Sequence, residues 1–154
     1  MLPNDMRNLH AIELGCGTGH VSGWMARRDA TVTGINNFDA QLTVARHLMR
    51  ENNTDLELLH GNAETVPKPD TSYDFSISEY GAAIWCDPMV WLPEAARLLK
   101  PGGKLRLMGI IPWPLHAGVM AGQIPTRYYA DATLISTSLI GGMQRLIPAV
   151  LNST

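Results

Sequence analysis

The chain has 154 residues, of which 45% are hydrophobic and 17% charged, and its formal net charge is −2. That is one domain's worth of sequence with enough apolar content for a real core, which excludes a disordered chain. No Lys/Arg run or stripe is available to neutralise phosphates, which counts against nucleic acid as a partner. The two cysteines, Cys16 and Cys86, form neither a CxxC pair nor a metal-like cluster with the five histidines, so they read as reduced thiols and no metal site is expected. Residues 1–9 hold no apolar run that would act as a leader, and no stretch approaches the roughly 20 apolar residues that span a bilayer. The expected compartment is the cytoplasm, with no membrane span.

In chain order, residues 9–14 (LHAIEL) form a short apolar run that ends in a glycine cluster, as a buried parallel strand does. After the turn at 15–19, residues 20–28 read as a helix with Val21, Trp24 and Met25 on one face and Arg27 and Arg28 at its negative end. Residues 31–35 (TVTGI) are β-branched and predict a second strand. Asp39 is placed to cap a helix running to about Glu51, with Leu42, Ala45 and Met49 at helical spacing. Residues 55–60 (DLELLH) and 72–78 (SYDFSIS) predict a third and a fourth strand, separated by a loop containing Pro67 and Pro69. Asp87-Pro88 reads as a cap followed by proline at the first helical position, and the helix runs to Lys100 with Pro93 kinking it or marking its true start. A turn at Pro101-Gly102-Gly103 leads to a fifth strand over 104–110.

Alternating strands and helices predict an α/β fold: a mostly parallel sheet of five recognisable strands with flanking helices and right-handed crossovers. Residues 1–111 form its core. Residues 112–154 differ in kind, with only Arg127, Asp131 and Arg145 charged. Beyond Asp131 the pattern fits a hairpin (TLISTSLI, Gly141-Gly142, MQRLIPAVL). It fits somewhat better one helical face made of Ala132, Ile135, Leu139, Met143 and Leu146. With this atypical or truncated end the fifth strand reads as a sheet edge, which predicts association with a second copy or another chain through the C-terminal segment; the competing reading is that the tail folds back and covers that edge itself, as a hairpin or a helix.

The strongest functional signal is Glu13-Leu14-Gly15-Cys16-Gly17-Thr18-Gly19, set between a strand and a helix. Gly15 and Gly17 let the backbone turn sharply and approach a ligand, and the helix start behind them offers free N–H groups. A dinucleotide site spaces its glycines GxGxxG around a pyrophosphate. Here the third glycine comes one residue early, and Glu13 would repel a pyrophosphate but attract a cationic amino acid.

This segment resembles the first motif of class I S-adenosylmethionine-dependent methyltransferases, in which an acidic residue precedes GxGxG. The resemblance continues through GIN at 34–36, GNAETVP at 61–67, SYDFSISEYGA at 72–82 and EAARLLKPGGKL at 94–105. It covers about two thirds of the chain and is most similar to the small-molecule (type 11-like) branch. It implies a Rossmann-like fold and S-adenosylmethionine, with its ammonium and sulfonium and no phosphates, as cofactor. Glu13, Gly15, Cys16 and Gly17 would meet the methionine half, and Asn36 the ribose, where the family usually has a carboxylate. Asn62 and Ala63 would frame the adenine, Asn62 through its carbonyl oxygen and Ala63 through its backbone N–H. Glu79 would contact the methionine portion or the substrate, and Tyr80 would shape the methyl-acceptor pocket.

Trp85 and Trp91 offer either walls for an apolar acceptor or ordinary packing, and His116 is a loop histidine with no evident role. The expected function is methyl transfer to a small-molecule acceptor, with no catalytic residue singled out. The alternatives are a non-catalytic cofactor-binding or partner domain and a truncated remnant.

Overall fold

The computed structural model describes residues 2–109 and, as backbone, 128–133. Five strands run parallel: β1 (His10–Leu14), β2 (Thr31–Asn36), β3 (Glu57–His60), β4 (Tyr73–Glu79) and β5 (Leu99–Gly109). A sixth, β6 (Tyr128–Thr133), pairs antiparallel with β5, and the sheet order is β3-β2-β1-β4-β5-β6. Among the described residues, four helices flank them: α1 (His20–Ala26), α2 (Asp39–Glu51), the short α3 (Ala82–Trp85) and α4 (Pro88–Leu98). The α/β, Rossmann-like expectation holds. The bare edge does not, because β6 covers β5 from Lys104 to Gly109. Ala132, assigned above to a helical face, lies in this strand; the rest of that face, the hairpin alternative and His116 lie outside the described residues.

The alternation of strand side chains divides the core into two faces. Ile12 and Leu14 join the cluster that α4 covers with Trp91, Leu92, Ala95 and Leu98. Ala11, Val32, Phe75 and Ile77 join Val21 and Met25 of α1 in the other. Between the pairs Tyr73↔Leu99 and Phe75↔Lys104, four residues of β5 oppose one of β4, so the expected Pro-Gly-Gly turn is an irregularity within one strand.

Two helix starts are instructive. Asp87 caps α4 as expected, accepting from Met89 N–H at 2.8 Å, with Pro88 at the first helical position. The N-cap of α2 is Phe38, not Asp39, and it makes no side-chain cap bond. Asp39 is the first helical residue, and its carboxylate still favours the positive end of the helix dipole. Among the described residues, no helix is long and apolar enough to cross a membrane.

Candidate functional site

The strand order reverses at β1, whose neighbours are β2 on one side and β4 on the other. Such a switch point opens a crevice beyond the carboxyl ends of the strands. A cavity of about 640 Å³ lies there, and its walls include all nine residues singled out from the sequence: Glu13, Gly15, Cys16, Gly17, Asn36, Asn62, Ala63, Glu79 and Tyr80.

The β1–α1 loop is held by its backbone. The N–H groups of Gly15 and Cys16 both donate to Ile35 O, at 3.0 and 2.9 Å, and Gly19 N–H donates to Cys16 O at 2.8 Å. Gly15, Gly17 and Gly19 take φ values of 80°, 54° and 78°, the left-handed region open to glycine. Their reasons for being glycine differ. A Cβ on Gly15 would lie 2.6–2.9 Å from the backbone of Gly81 and Ala82, so the close contact between two loops requires glycine there. A Cβ on Gly17 would meet only Gln41 Oε1, at 3.9 Å, and would project into the cavity.

Glu13 is 2% exposed. Its Oε2 accepts from Ser22 N–H at 2.7 Å and from Ser22 Oγ–H at 2.5 Å. Burial dominates these two bonds and pushes the Glu13 pKa up to about 8, with the Glu79 charge acting in the same direction. Glu13 in the free protein is therefore largely a neutral acid at pH 7, not the standing carboxylate that its place in the motif suggests. Burial and the neighbouring Glu13 push the Cys16 thiol up to about 12, so it is no thiolate nucleophile.

Asn36, at the end of β2, is 7% exposed. Its amide nitrogen donates to Phe38 O at 3.3 Å and to Gln41 Oε1 at 2.9 Å, which leaves its carbonyl oxygen to face a ligand. The amide is fitted to this position, because a carboxylate would bring its negative oxygens against the Phe38 carbonyl and could not donate to it. Asn62 is occupied locally: its Oδ1 accepts from Glu64 N–H at 3.0 Å and its Nδ2 donates to Glu64 Oε2 at 3.1 Å. Ala63 buries its methyl in the α4 side of the core. Tyr80 follows β4 with φ 53°, a left-handed conformation uncommon for a residue with a side chain.

Phe38 escaped the sequence reading as a cavity residue, whereas Trp85 is one of the two tryptophans considered there. Phe38 is 63% exposed and Trp85 is 83% exposed, and both line the cavity. Trp91, considered together with Trp85, sits on the buried face of α4 in the core and does not line the cavity. Gly81 mirrors Gly15, since a Cβ there would lie 2.3 Å from Gly15 O. Ser22 was legible only as one more residue of α1. The described lining includes three carboxylates, on Glu13, Glu64 and Glu79, and neither lysine nor arginine. Such a lining disfavours phosphates and accepts a cation.

Residues 12–107 match a family model described as a methyltransferase domain. The chain is 35% identical over 103 residues to a demethylmenaquinone methyltransferase of Listeria welshimeri, covering 64% of this chain and 44% of that protein. It is 31% identical over 101 residues to a ubiquinone biosynthesis O-methyltransferase of Dinoroseobacter shibae, covering 66% and 41%. The chain thus spans less than half the length of these two relatives. In fold it is similar to the crystal structure of a SAM-dependent methyltransferase from Aquifex aeolicus, with a TM-score of 0.69, 16% identity, and coverage of 86% of this chain and 85% of that one.

Proposed function

The chain belongs to the methyltransferase domain family, and on that premise we propose that it binds S-adenosylmethionine in the β1–β2–β4 cavity and transfers its methyl group to a small-molecule acceptor. One observation carries the reading. Four separate loops converge on one cavity whose described lining offers three acidic side chains, on Glu13, Glu64 and Glu79, and neither lysine nor arginine. The cofactor has a cationic ammonium, a cationic sulfonium and no phosphate, and the cavity's donor set fits it. The fit extends to Gly17, the one loop position where a Cβ would fill ligand space rather than protein.

The Gly15–Gly17 turn and Glu13 would hold the methionine half, with Glu79 on the far side of it. Asn36 would accept from the ribose through its free carbonyl oxygen. Ala63 would offer its backbone N–H to the adenine, while Asn62 fixes the turn that presents it. The exposed indole of Trp85, with Tyr80 at the end of β4, would wall an uncharged, apolar acceptor, since the acidic lining repels anions. When bound, the cofactor supplies a methyl group on an activated sulfonium. The chain's own contribution is then alignment of the acceptor and exclusion of water, with no residue assigned to proton transfer.

Calorimetric titration with S-adenosylhomocysteine tests this. One site per chain is expected. Gly17→Ala should weaken binding at least tenfold, while its left-handed backbone lowers stability by about 1–2 kcal/mol. Absence of binding by the native chain, or unchanged affinity in a folded Gly17→Ala variant, overturns the assignment. Binding without methyl transfer to a quinol acceptor points to the non-catalytic alternative.

A further inference from the structure

Glu13 combines three features that a ligand-facing carboxylate rarely has at once. It is buried at the floor of the cavity. Both hydrogen bonds it accepts fall on Oε2, from the N–H and the hydroxyl of Ser22 at the head of α1, which leaves Oε1 for a ligand. No cationic side chain among the described lining residues stands ready to balance its charge. The titratable groups around it come from three elements: Glu79 at the end of β4, Cys16 in the glycine loop and His20 at the start of α1. From β2, Gly34 is its register partner and Asn36 lines the cavity, and neither titrates.

We propose that Glu13 is a proton-coupled receptor for the ammonium group of the bound amino acid: in the free protein its carboxyl keeps a proton, and docking of an ammonium on Oε1 sends that proton to solvent. The inference rests on the cofactor reading given above and concerns the regulation of that same site. A buried acid without a counter-charge lowers its free energy by staying neutral. Its raised pKa, at about 8, agrees with that geometry. An ammonium placed beside it reverses the balance, because an opposite charge within a few ångströms in a shielded site favours the ionised carboxylate. The O–H bond of Glu13 breaks, its proton passes to buffer, and a charge-assisted N–H···O bond takes its place. The free cavity then holds one fewer buried negative charge, and an ionised Glu13 exists chiefly in the liganded state.

The probes are S-adenosylhomocysteine, which has the amino acid, and 5′-methylthioadenosine, which has the same nucleoside and thioether without it. Calorimetry at pH 7 in buffers of different ionisation heat reads the protons released per ligand bound. S-Adenosylhomocysteine should release close to one proton, and its affinity should rise about tenfold per pH unit between pH 6 and 7.5. 5′-Methylthioadenosine should release none and bind with no pH dependence over that range. Glu13→Gln, which keeps an acceptor for Ser22, should abolish the release and flatten the profile. S-Adenosylhomocysteine binding without proton release overturns the proposal and leaves the cofactor assignment standing, whereas no binding at all overturns both. Equal release with the two ligands, or release retained in Glu13→Gln, shows that the proton comes from another group. If Glu13→Gln does not fold, the two-ligand comparison on the native chain decides alone.

Discussion

Two loops face one another across the cavity, and they are held in place by different physics. The β1–α1 loop is fixed by its backbone, through left-handed glycines, the shared Ile35 carbonyl and a contact with Gly81 that leaves no room for a side chain. The loop between β3 and β4 is fixed by charged side chains far away in sequence. Arg97 of α4 donates from Nη1 to Lys68 O at 2.9 Å and to Asp70 at 2.6 Å, and from Nη2 to Val66 O at 3.1 Å. Glu94 accepts from Val66 N–H at 2.7 Å, and Glu64 accepts from Asp87 N–H at 2.8 Å. A wall built of backbone geometry is indifferent to salt and intolerant of any Cβ. A wall built of ion pairs tolerates changes in side-chain size and is exposed to screening. The same cavity therefore has one side that yields only to mutation and another that yields also to solution conditions.

The contrast breaks most visibly at Gly15. Gly15→Ala places a methyl against fixed backbone in a left-handed conformation, and a loss of about 3 kcal/mol or more is expected in urea denaturation. A variant with an unchanged midpoint would mean that the two loops are not packed as described. Next in size is Arg97→Met, expected to lower stability by about 2 kcal/mol by stranding Glu94 and two carbonyls, a figure already reduced because the guanidinium is a third exposed. Because 1 M NaCl screens the Arg97 pairs, the difference between wild type and Arg97→Met should narrow in high salt, while the Gly15→Ala difference should not.

The smallest effect sharpens the comparison at the buried acid of β1 beneath the backbone-held loop. Glu13 titrates near 8 in the folded chain and near 4.5 unfolded, so the folded state binds more protons between those values. Its contribution to stability is present in full below about pH 4.5 and is lost as pH rises through about 8. Wild type should lose about 1 kcal/mol between pH 6 and 7 relative to Glu13→Gln. Parallel pH profiles for the two proteins would remove Glu13 from the account.

What was legible in the sequence follows the same division. Every parallel strand and three of the four helices could be read, because their signals are local: β-branched runs, helical spacing, Asp87-Pro88. The glycine loop was legible for the same reason. The four-residue α3 is too short to show a period, so the sequence left Trp85 open between a cavity wall and ordinary packing. Phe38 took the cap position of α2 from Asp39 because the Asn36 amide holds the Phe38 carbonyl just before the helix. Strand β6 carries Asp131 among tyrosines and alanines and lacks the apolar run of a buried strand, so the sequence offered coverage of β5 by its own tail only as the competing reading and did not mark these residues as the strand. The proton on Glu13 was also hidden: the motif names the carboxylate, but only tertiary burial decides whether it is charged. The expected self-association through the C-terminal segment concerns mainly residues outside those described, and the pairing of β5 with β6 withdraws one of its motives.

Gly109 and Tyr128 are register partners at the end of the sheet where β1, β2 and β4 open into the cavity. The ladder from Lys104 to Gly109 spends the backbone groups on that side of β5 on β6, so a strand from another chain finds no open place along it.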